Sequence, residues 1–282
     1  MQTILDTFTN RELALIIWLT LALFASTLRK DIRESLGQLL KGLFARKLFT
    51  LFALLTLYVF GTILALHFWG LWDISLLKDT LFWFFTVALV LYFNVHKAKD
   101  TRYFKNILTE SFKWTIVIEF LVNFYTFSLV TELIMLPILI LVSATQAVSE
   151  TAKQHESVNK FLTNILALIG LSFFLFALYK TVETYQEVFT VHNLHELLLP
   201  AILTILFLPF IYFVAVYMNY ETLFIRINFV TEDAKLKKAL KKEILFAANL
   251  NLNRLKVLSD NLRKFNLEDI DDLKSYIRSL TK

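Results

Sequence analysis

Long apolar stretches separated by short polar segments form the dominant pattern of this sequence. Each stretch is close to the roughly 20 residues that an α-helix, rising ~1.5 Å per residue, needs to cross the ~30 Å hydrocarbon core of a bilayer. Seven stretches have this character, at 13–28, 48–71, 80–95, 114–130, 133–148, 161–179 and 197–218. The pattern predicts an all-α, polytopic membrane protein with about seven transmembrane helices. It assigns a transmembrane domain to 1–218 and a small helical cytoplasmic tail to 219–282.

The fourth and fifth stretches form one apolar run, 114–148, whose only charged residues are Glu119 and Glu132. A single straight helix of this length would measure roughly 50 Å, which exceeds the bilayer even when tilted. We therefore predict two spans joined by a tight turn near Ser128–Glu132, without a Gly or Pro to mark it. The alternative is one span here and six in all, which would leave the Lys-rich tail outside the cell.

Amphipathic segments accompany the spans. In 31–47 the apolar residues recur every three or four positions, away from the basic residues, which predicts a helix lying in the membrane interface. The segment 103–114 has a weaker form of the same pattern. In the tail, the pattern predicts short helices at 233–249, 251–265 and 267–280, which would form a small bundle or an oligomerisation surface.

The composition agrees with a membrane protein. Hydrophobic residues make up 57% of the chain, charged residues 19%, and the mean hydropathy is +0.59, whereas soluble domains are about 25% charged. The sequence contains no cysteine, which excludes disulfides, iron–sulfur sites and thiol nucleophiles. The first residues lack a basic region and a small-residue cleavage site, so we expect the first apolar segment to be retained as a span.

Basic and basic-poor connections alternate along the chain. Lys and Arg are frequent after the first and third stretches and in the tail, but scarce around Asp73 and in 180–196. Because short cytoplasmic segments carry an excess of Lys and Arg, this distribution predicts an external N-terminus and a cytoplasmic C-terminus.

The fourth stretch carries a polar stripe at helical spacing, which consists of Thr115, Glu119, Asn123 and Thr126. Polar side chains facing lipid are costly, so these residues should face a bundle interior, another subunit or water. One interpretation is that they line a pore. The other is that they form hydrogen bonds between helices, with Glu119 near the membrane interface.

Other polar residues carry weaker predictions. Glu132 should be interfacial at the proposed turn, or a second buried acid if the helix continues, and His67 fits an aromatic belt better than a proton relay. His192 and His195, with Glu196, have the spacing of metal ligands on a helix, but the sequence supplies no clear further ligands, so we predict no metal site. We find no phosphate-binding loop or nucleophile motif, so we predict neither an enzyme nor a cofactor.

The tail is strongly basic. Positions 226–264 contain ten Lys or Arg against four acidic residues, interleaved with Phe and Asn. This combination suits a nucleotide or a single-stranded nucleic acid, and it equally suits contact with anionic lipid. The candidate ligand-binding residues are Arg226, Lys237, Lys238, Lys241, Lys242 and Arg254.

Two stretches resemble known proteins: FTNRELALIIWL at 8–19 and LLLPAILTILFLPFIYFVAVYMNYETLFIR at 197–226. They resemble small bacterial inner-membrane proteins, and through them membrane effectors of anti-phage defence operons. That resemblance implies an oligomeric channel of the bacterial inner membrane, held in check by a nucleotide or oligonucleotide signal, that depolarises the cell when released.

From the sequence we therefore expect a gated, homo-oligomeric membrane channel regulated through its basic tail. A secondary transporter of a small solute is the main alternative, although inverted repeats and broken spans at matching positions are not evident in the sequence. A non-transporting membrane scaffold whose tail binds a partner is the third.

Overall fold

The computed structural model describes residues 8–43, 46–113, 115–151, 155–188, 190–230, 233–261, 277 and 279–280. Within these ranges every regular element is a helix. The first six helices are α1 (Asn10–Leu28), α2 (Lys30–Leu43), α3 (Arg46–Phe68), α4 (Leu77–Trp83), α5 (Leu89–Phe93) and α6 (Arg102–Glu110). The remaining ones are α7 (Thr115–Phe124), α8 (Leu129–Ser149), α9 (Glu156–Glu183), α10 (Tyr185–Val188), α11 (Val191–Val230), α12 (Ala234–Ala248) and α13 (Leu252–Asn261).

Six helices among the described residues are long and apolar enough to cross a membrane. They lie at 10–28, 49–68, 74–93, 129–149, 156–183 and 191–229; the third of them joins α4 and α5 through the π-helical turn Phe84–Ala88. The chain thus has the architecture of an all-helical, multi-pass membrane protein, as predicted. The predicted count of seven is not confirmed, because the helix in the fourth stretch, α7, has only 10 residues.

The amphipathic predictions have mixed outcomes. Helix α2 lies where the interfacial helix 31–47 was predicted, but the side chains of Leu36, Leu39 and Leu40 lie outside the described residues, so its amphipathic character stays a prediction. Helices α12 and α13 fall within two of the predicted tail segments. Most of the third, 267–280, lies outside the described residues.

The chain divides into two compact units. The first comprises Met1–Ala53 and Trp114–Leu197, and the second comprises Leu54–Lys113 and Leu198–Lys282. The predicted boundary at 218/219 between membrane domain and tail lies within α11, which continues to Val230, and it stays a prediction.

The main packing within the first unit is among α1, α7, α8 and α9. Helix α1 begins with a capping box, in which Thr9 and Glu12 each accept a hydrogen bond from the backbone N–H of the other. Helices α8 and α9 pack against each other, and a hydrogen bond from Gln146 Nε2 to Asn159 Oδ1 (3.0 Å) joins the end of α8 to the start of α9. The outer surfaces are apolar, and Ala14 is the only buried residue described in α1. Such surfaces suit contact with lipid or with another subunit.

The second unit packs around the middle of α11. The Trp83 Nε1–H donates to Thr204 Oγ1 (2.9 Å), and the Tyr58 hydroxyl donates to the Leu206 carbonyl oxygen (2.7 Å). The ring of Phe207 lies 5.6 Å from that of Trp83, nearly perpendicular to it. These contacts give the polar atoms of the two aromatic side chains the hydrogen-bond partners that they need in apolar surroundings.

Candidate functional site at a helix break

The apolar run 114–148 is interrupted by four residues. Helix α7 ends at Phe124, α8 starts at Leu129, and Tyr125–Ser128 are not helical. Ser128 caps α8, because its side chain accepts a hydrogen bond from the backbone N–H of Thr131 (3.3 Å). The division of the run into two helices was predicted, but the break comes slightly before the predicted turn at Ser128–Glu132.

A buried ion pair lies against this break. The Arg11 guanidinium donates from Nε to Glu132 Oε2 (3.1 Å) and from Nη2 to Glu132 Oε1 (3.0 Å). The side chains of Arg11 and Glu132 are only 15% and 3% exposed. A bidentate arginine–carboxylate pair adds a defined geometry to the attraction between the charges. It therefore holds the first turn of α1 against the first turn of α8.

The same side chains satisfy the interrupted backbone. Glu132 Oε1 accepts from the Phe127 N–H (3.1 Å), and the Phe127 carbonyl oxygen accepts from Asn10 Nδ2 (2.9 Å). Arg11 Nη1 donates to the Val122 carbonyl oxygen (3.0 Å) at the end of α7. Non-helical backbone at membrane depth is tolerated only where protein or water satisfies it. At this break, the hydrogen-bond partners are the side chains of Arg11, Asn10 and Glu132.

Aromatic rings close the other side of the break. Phe127 stacks on Phe176 with ring centroids 4.6 Å apart, and the Arg11 guanidinium carbon lies 5.4 Å from the centroid of the Phe173 ring. A guanidinium over a ring face is attracted by the ring quadrupole. The break is thus contacted by side chains of α1, α8 and α9.

The predicted polar stripe is only partly brought together. Glu119 and Asn123 lie one turn apart on α7 and both are exposed; Asn123 Oδ1 accepts from Arg11 Nη1 (3.0 Å). Thr126 lies beyond the end of α7, so a single helical stripe through Thr126 is wrong. The side chain of Thr115 lies outside the described residues.

Sequence reasoning missed the ion pair. Glu132 was expected to be interfacial, and Arg11 carried no prediction at all. Two features of the sequence could have indicated the pair. An acidic residue within an apolar run needs a counter-charge, and a single arginine lies just before the first apolar stretch.

The tail forms a small helical assembly with the end of α11. Helix α12 runs antiparallel to that end, and α13 reverses again, with Arg226 Nη1 donating to Ser259 Oγ (3.0 Å). At the turn between α12 and α13, the hydroxyls of Tyr212 and Tyr220 donate to the carbonyl oxygens of Leu250 and Asn249. The apolar core consists of Leu223, Ile227, Leu236, Leu240, Ile244, Leu252, Leu255 and Leu258.

The predicted ligand-binding cations do not form one cluster. Lys241 lies over the Phe224 ring (5.6 Å) in an open groove that also contains Glu221 and Asn228. Lys237 is half-buried and follows the same face of α12, whereas Lys238 and Lys242 are exposed on another face. Arg226 bonds to Ser259, and Arg254 is exposed at the start of α13.

The loop before α6 holds the tail through a second ion pair. Asp100 accepts from Lys256 Nζ (2.9 Å) and from Arg102 Nη2 (3.1 Å), while Asn253 Nδ2 donates to Thr101 Oγ1 (3.1 Å). The hydrogen bonds from Lys256 and Arg102 lower the pKa of Asp100 to about 2. The carboxylate therefore stays ionised throughout the physiological pH range, and the contact is not a pH switch.

Two of the histidines lie next to other polar partners. His192 Nε2 lies 3.2 Å from Glu196 Oε1, and His67 Nδ1 lies 3.0 Å from the Trp72 carbonyl oxygen. Among the described residues, no group of three or more His, Asp or Glu side chains is arranged to hold a metal ion.

Comparison with known proteins adds no family assignment: no protein-family model, curated protein or solved structure gives a significant match to this chain.

Proposed function

We propose that the protein is a homo-oligomeric membrane channel in which α7 lines the conducting path. The observation that carries this proposal is the exposed carboxylate of Glu119 on α7, a helix in which only Thr115 and Asn123 are also polar. An ionisable side chain at the centre of a bilayer costs at least ~2.5–3.5 kcal/mol, so Glu119 should face water or another subunit. A ring of such carboxylates around a symmetry axis would favour cations.

The direction of the helices supports an odd number of crossings. Asn10 bonds to Phe127 and Trp18 Nε1 to the Leu133 carbonyl oxygen (2.9 Å), so α1 and α8 start at the same level and run in the same direction. Three candidate spans separate the start of α1 from α8, and three crossings leave the chain on the opposite side of the membrane. Because α8 starts on the same side as α1, the segment 115–128 would have to cross the membrane once more. Helix α7 measures only ~15 Å, about half the hydrocarbon thickness, so this passage would also use the non-helical residues beside it.

We expect the N-terminus outside and the C-terminus in the cytoplasm. Because the chain has no native cysteine, single cysteines report sidedness cleanly. In intact cells, Gln186→Cys should react with a membrane-impermeant maleimide, whereas Lys99→Cys should react only after permeabilisation. Both side chains are exposed. A reporter fused after Lys282 that reads as external would contradict the seven-crossing topology.

The tail would regulate the channel by binding an anionic ligand, a nucleotide or a single-stranded nucleic acid. The groove beside Lys241 supports this role, because it combines a cation, the Phe224 ring and the Asn228 amide, next to the Glu221 carboxylate. The resemblance of 8–19 and 197–226 to membrane effectors of anti-phage defence supports a bacterial inner-membrane location and a role in depolarising infected cells.

The helix break favours a second candidate function, a secondary transporter of a small solute. Transporters often build their binding sites from discontinuous membrane helices, and Tyr125–Ser128 interrupts such a helix beside the Arg11–Glu132 pair. That pair is mostly buried and already bonded, however, whereas Glu119 remains exposed. We therefore favour the channel.

Ion flux from liposomes that contain the purified protein decides between the candidates. A channel gives passive flux that follows the gradient and does not depend on solute on the opposite side. A transporter gives saturable uptake and counterflow, and a membrane scaffold gives neither. The same liposomes test the regulator, since short single-stranded DNA should change the flux of the wild type and not of Lys241→Glu.

A further inference from the structure

The turn between α12 and α13 lies level with the end of the apolar part of α11. The charge-free stretch of α11 ends near Met218, and Glu221 is the next charged residue. Helix α12 runs back along this end, and Leu250 accepts a hydrogen bond from the Tyr212 hydroxyl (2.7 Å). If α11 spans a bilayer, the turn therefore lies at the membrane–water interface and not in the cytosol.

The turn exposes apolar side chains at this level. Leu245, Phe246 and Leu250, which we call the apolar tip, are 49%, 74% and 51% exposed. They are close in sequence, at the end of α12 and in the turn that follows, whereas Ile244 and Ala248 of the same turn of helix are buried. Large apolar side chains that stay together on a surface indicate contact with another apolar phase.

Exposed cations flank the apolar tip. Lys238 and Lys242 continue the exposed face of α12, and the Lys242 ammonium lies 6.0 Å from the centroid of the Phe246 ring. Arg254 lies just after the turn, and the Thr101–Asn253 bond brings the loop with exposed Lys97 and Lys99 to the same region. Apolar residues edged by Lys and Arg are typical of segments that lie in the interface of an anionic membrane.

We propose that the apolar tip inserts into the cytoplasmic leaflet, with Lys238, Lys242 and Arg254 on the phosphate groups of anionic lipids. This surface is distinct from the groove beside Lys241, and its role does not depend on whether the protein conducts ions. The bilayer covers the tip, and the lipid charge sets how firmly the tail is held at the membrane.

The test places an environment-sensitive fluorophore on single cysteines of the full-length protein in vesicles. Leu250→Cys reports the tip and leaves Phe246 intact, while Ala234→Cys, exposed at the start of α12, is the matched control. The vesicles contain phosphatidylcholine alone or with phosphatidylglycerol. With phosphatidylglycerol, the label at 250 should shift to the blue and be quenched several-fold more by shallow spin-labelled lipid than the label at 234.

Two variants examine the origin of the effect. The first variant combines Lys238→Glu and Lys242→Glu. Each cation near an anionic surface strengthens association about fivefold, so this variant should lower the ratio of membrane-inserted to free label at position 250 by at least about 25-fold. Phe246→Ser should lower it in both kinds of vesicle. High salt should weaken insertion in phosphatidylglycerol vesicles, because exposed charges are screened.

Three outcomes would overturn the proposal. One is a label at 250 that is as accessible to aqueous iodide as the label at 234. Another is a label shielded from both iodide and spin-labelled lipid, which would assign the tip to a contact between subunits. The third is a label that changes only when single-stranded DNA is added, which would assign these cations to nucleic acid.

Discussion

Glu132→Ala is expected to lower the free energy of unfolding by about 3–5 kcal/mol, as is typical when one partner of a buried ion pair is removed. The substitution leaves the mostly buried Arg11 guanidinium without its counter-charge and leaves the Phe127 N–H without its acceptor. Thermal unfolding of the purified protein in detergent measures the loss. Arg11→Met should have a similar effect, because it isolates the Glu132 carboxylate.

The double variant Arg11→Met with Glu132→Leu separates charge isolation from lost packing. It removes both charges together, so it should recover a large part of the stability lost by either single variant. The matched control is Glu34→Gln, which removes an exposed ion pair with Lys30 whose side chains are 63% and 77% exposed. Such pairs contribute little, and the melting temperature should not change. A single variant at 11 or 132 as stable as this control would show that the pair does not hold the break.

Glu119→Gln is expected to reduce cation over anion selectivity about tenfold, the lower end of the range for concentration by a charged cleft. The substitution keeps the size of the side chain and removes only its charge, so assembly should be unaffected. Reversal potentials under a salt gradient measure selectivity, and the elution volume of the purified oligomer checks assembly.

Glu156→Gln is the matched control for this experiment. Glu156 is exposed at the start of α9 and pairs with Lys160 at 2.7 Å, so it is not proposed to line the pore. Selectivity should be unchanged in this variant. Equal selectivity in wild type and Glu119→Gln, with the oligomer intact, would remove α7 from the conducting path.

The sequence predicted the helices well because their cause is local. A span must present apolar side chains along roughly 20 residues, and the membrane helices α1, α3, α8, α9 and α11 follow that pattern. Their ends were less well predicted: α11 extends to Val230 because its last turns are covered by α12 and α13, which hydropathy does not register.

The sequence predicted the helix break but not the side chains that stabilise it. The length of 114–148 required a turn, yet the turn is made by Ser128 as a cap and by contacts from Arg11, which is far away in the sequence. Such a pairing between residues 121 positions apart leaves no periodic signal. The stripe prediction failed at Thr126 for the same reason, since helical spacing applies only until the helix ends at Phe124.

The most direct test of the central claim is the current across a planar bilayer that contains the purified wild-type protein. The proposed channel predicts discrete current steps of uniform size whose amplitude grows with the ion gradient and the voltage. The steps should carry mainly cations, and Glu119→Gln should change their reversal potential. A folded, membrane-inserted oligomer that produces no current steps, with or without short single-stranded DNA, would contradict the claim.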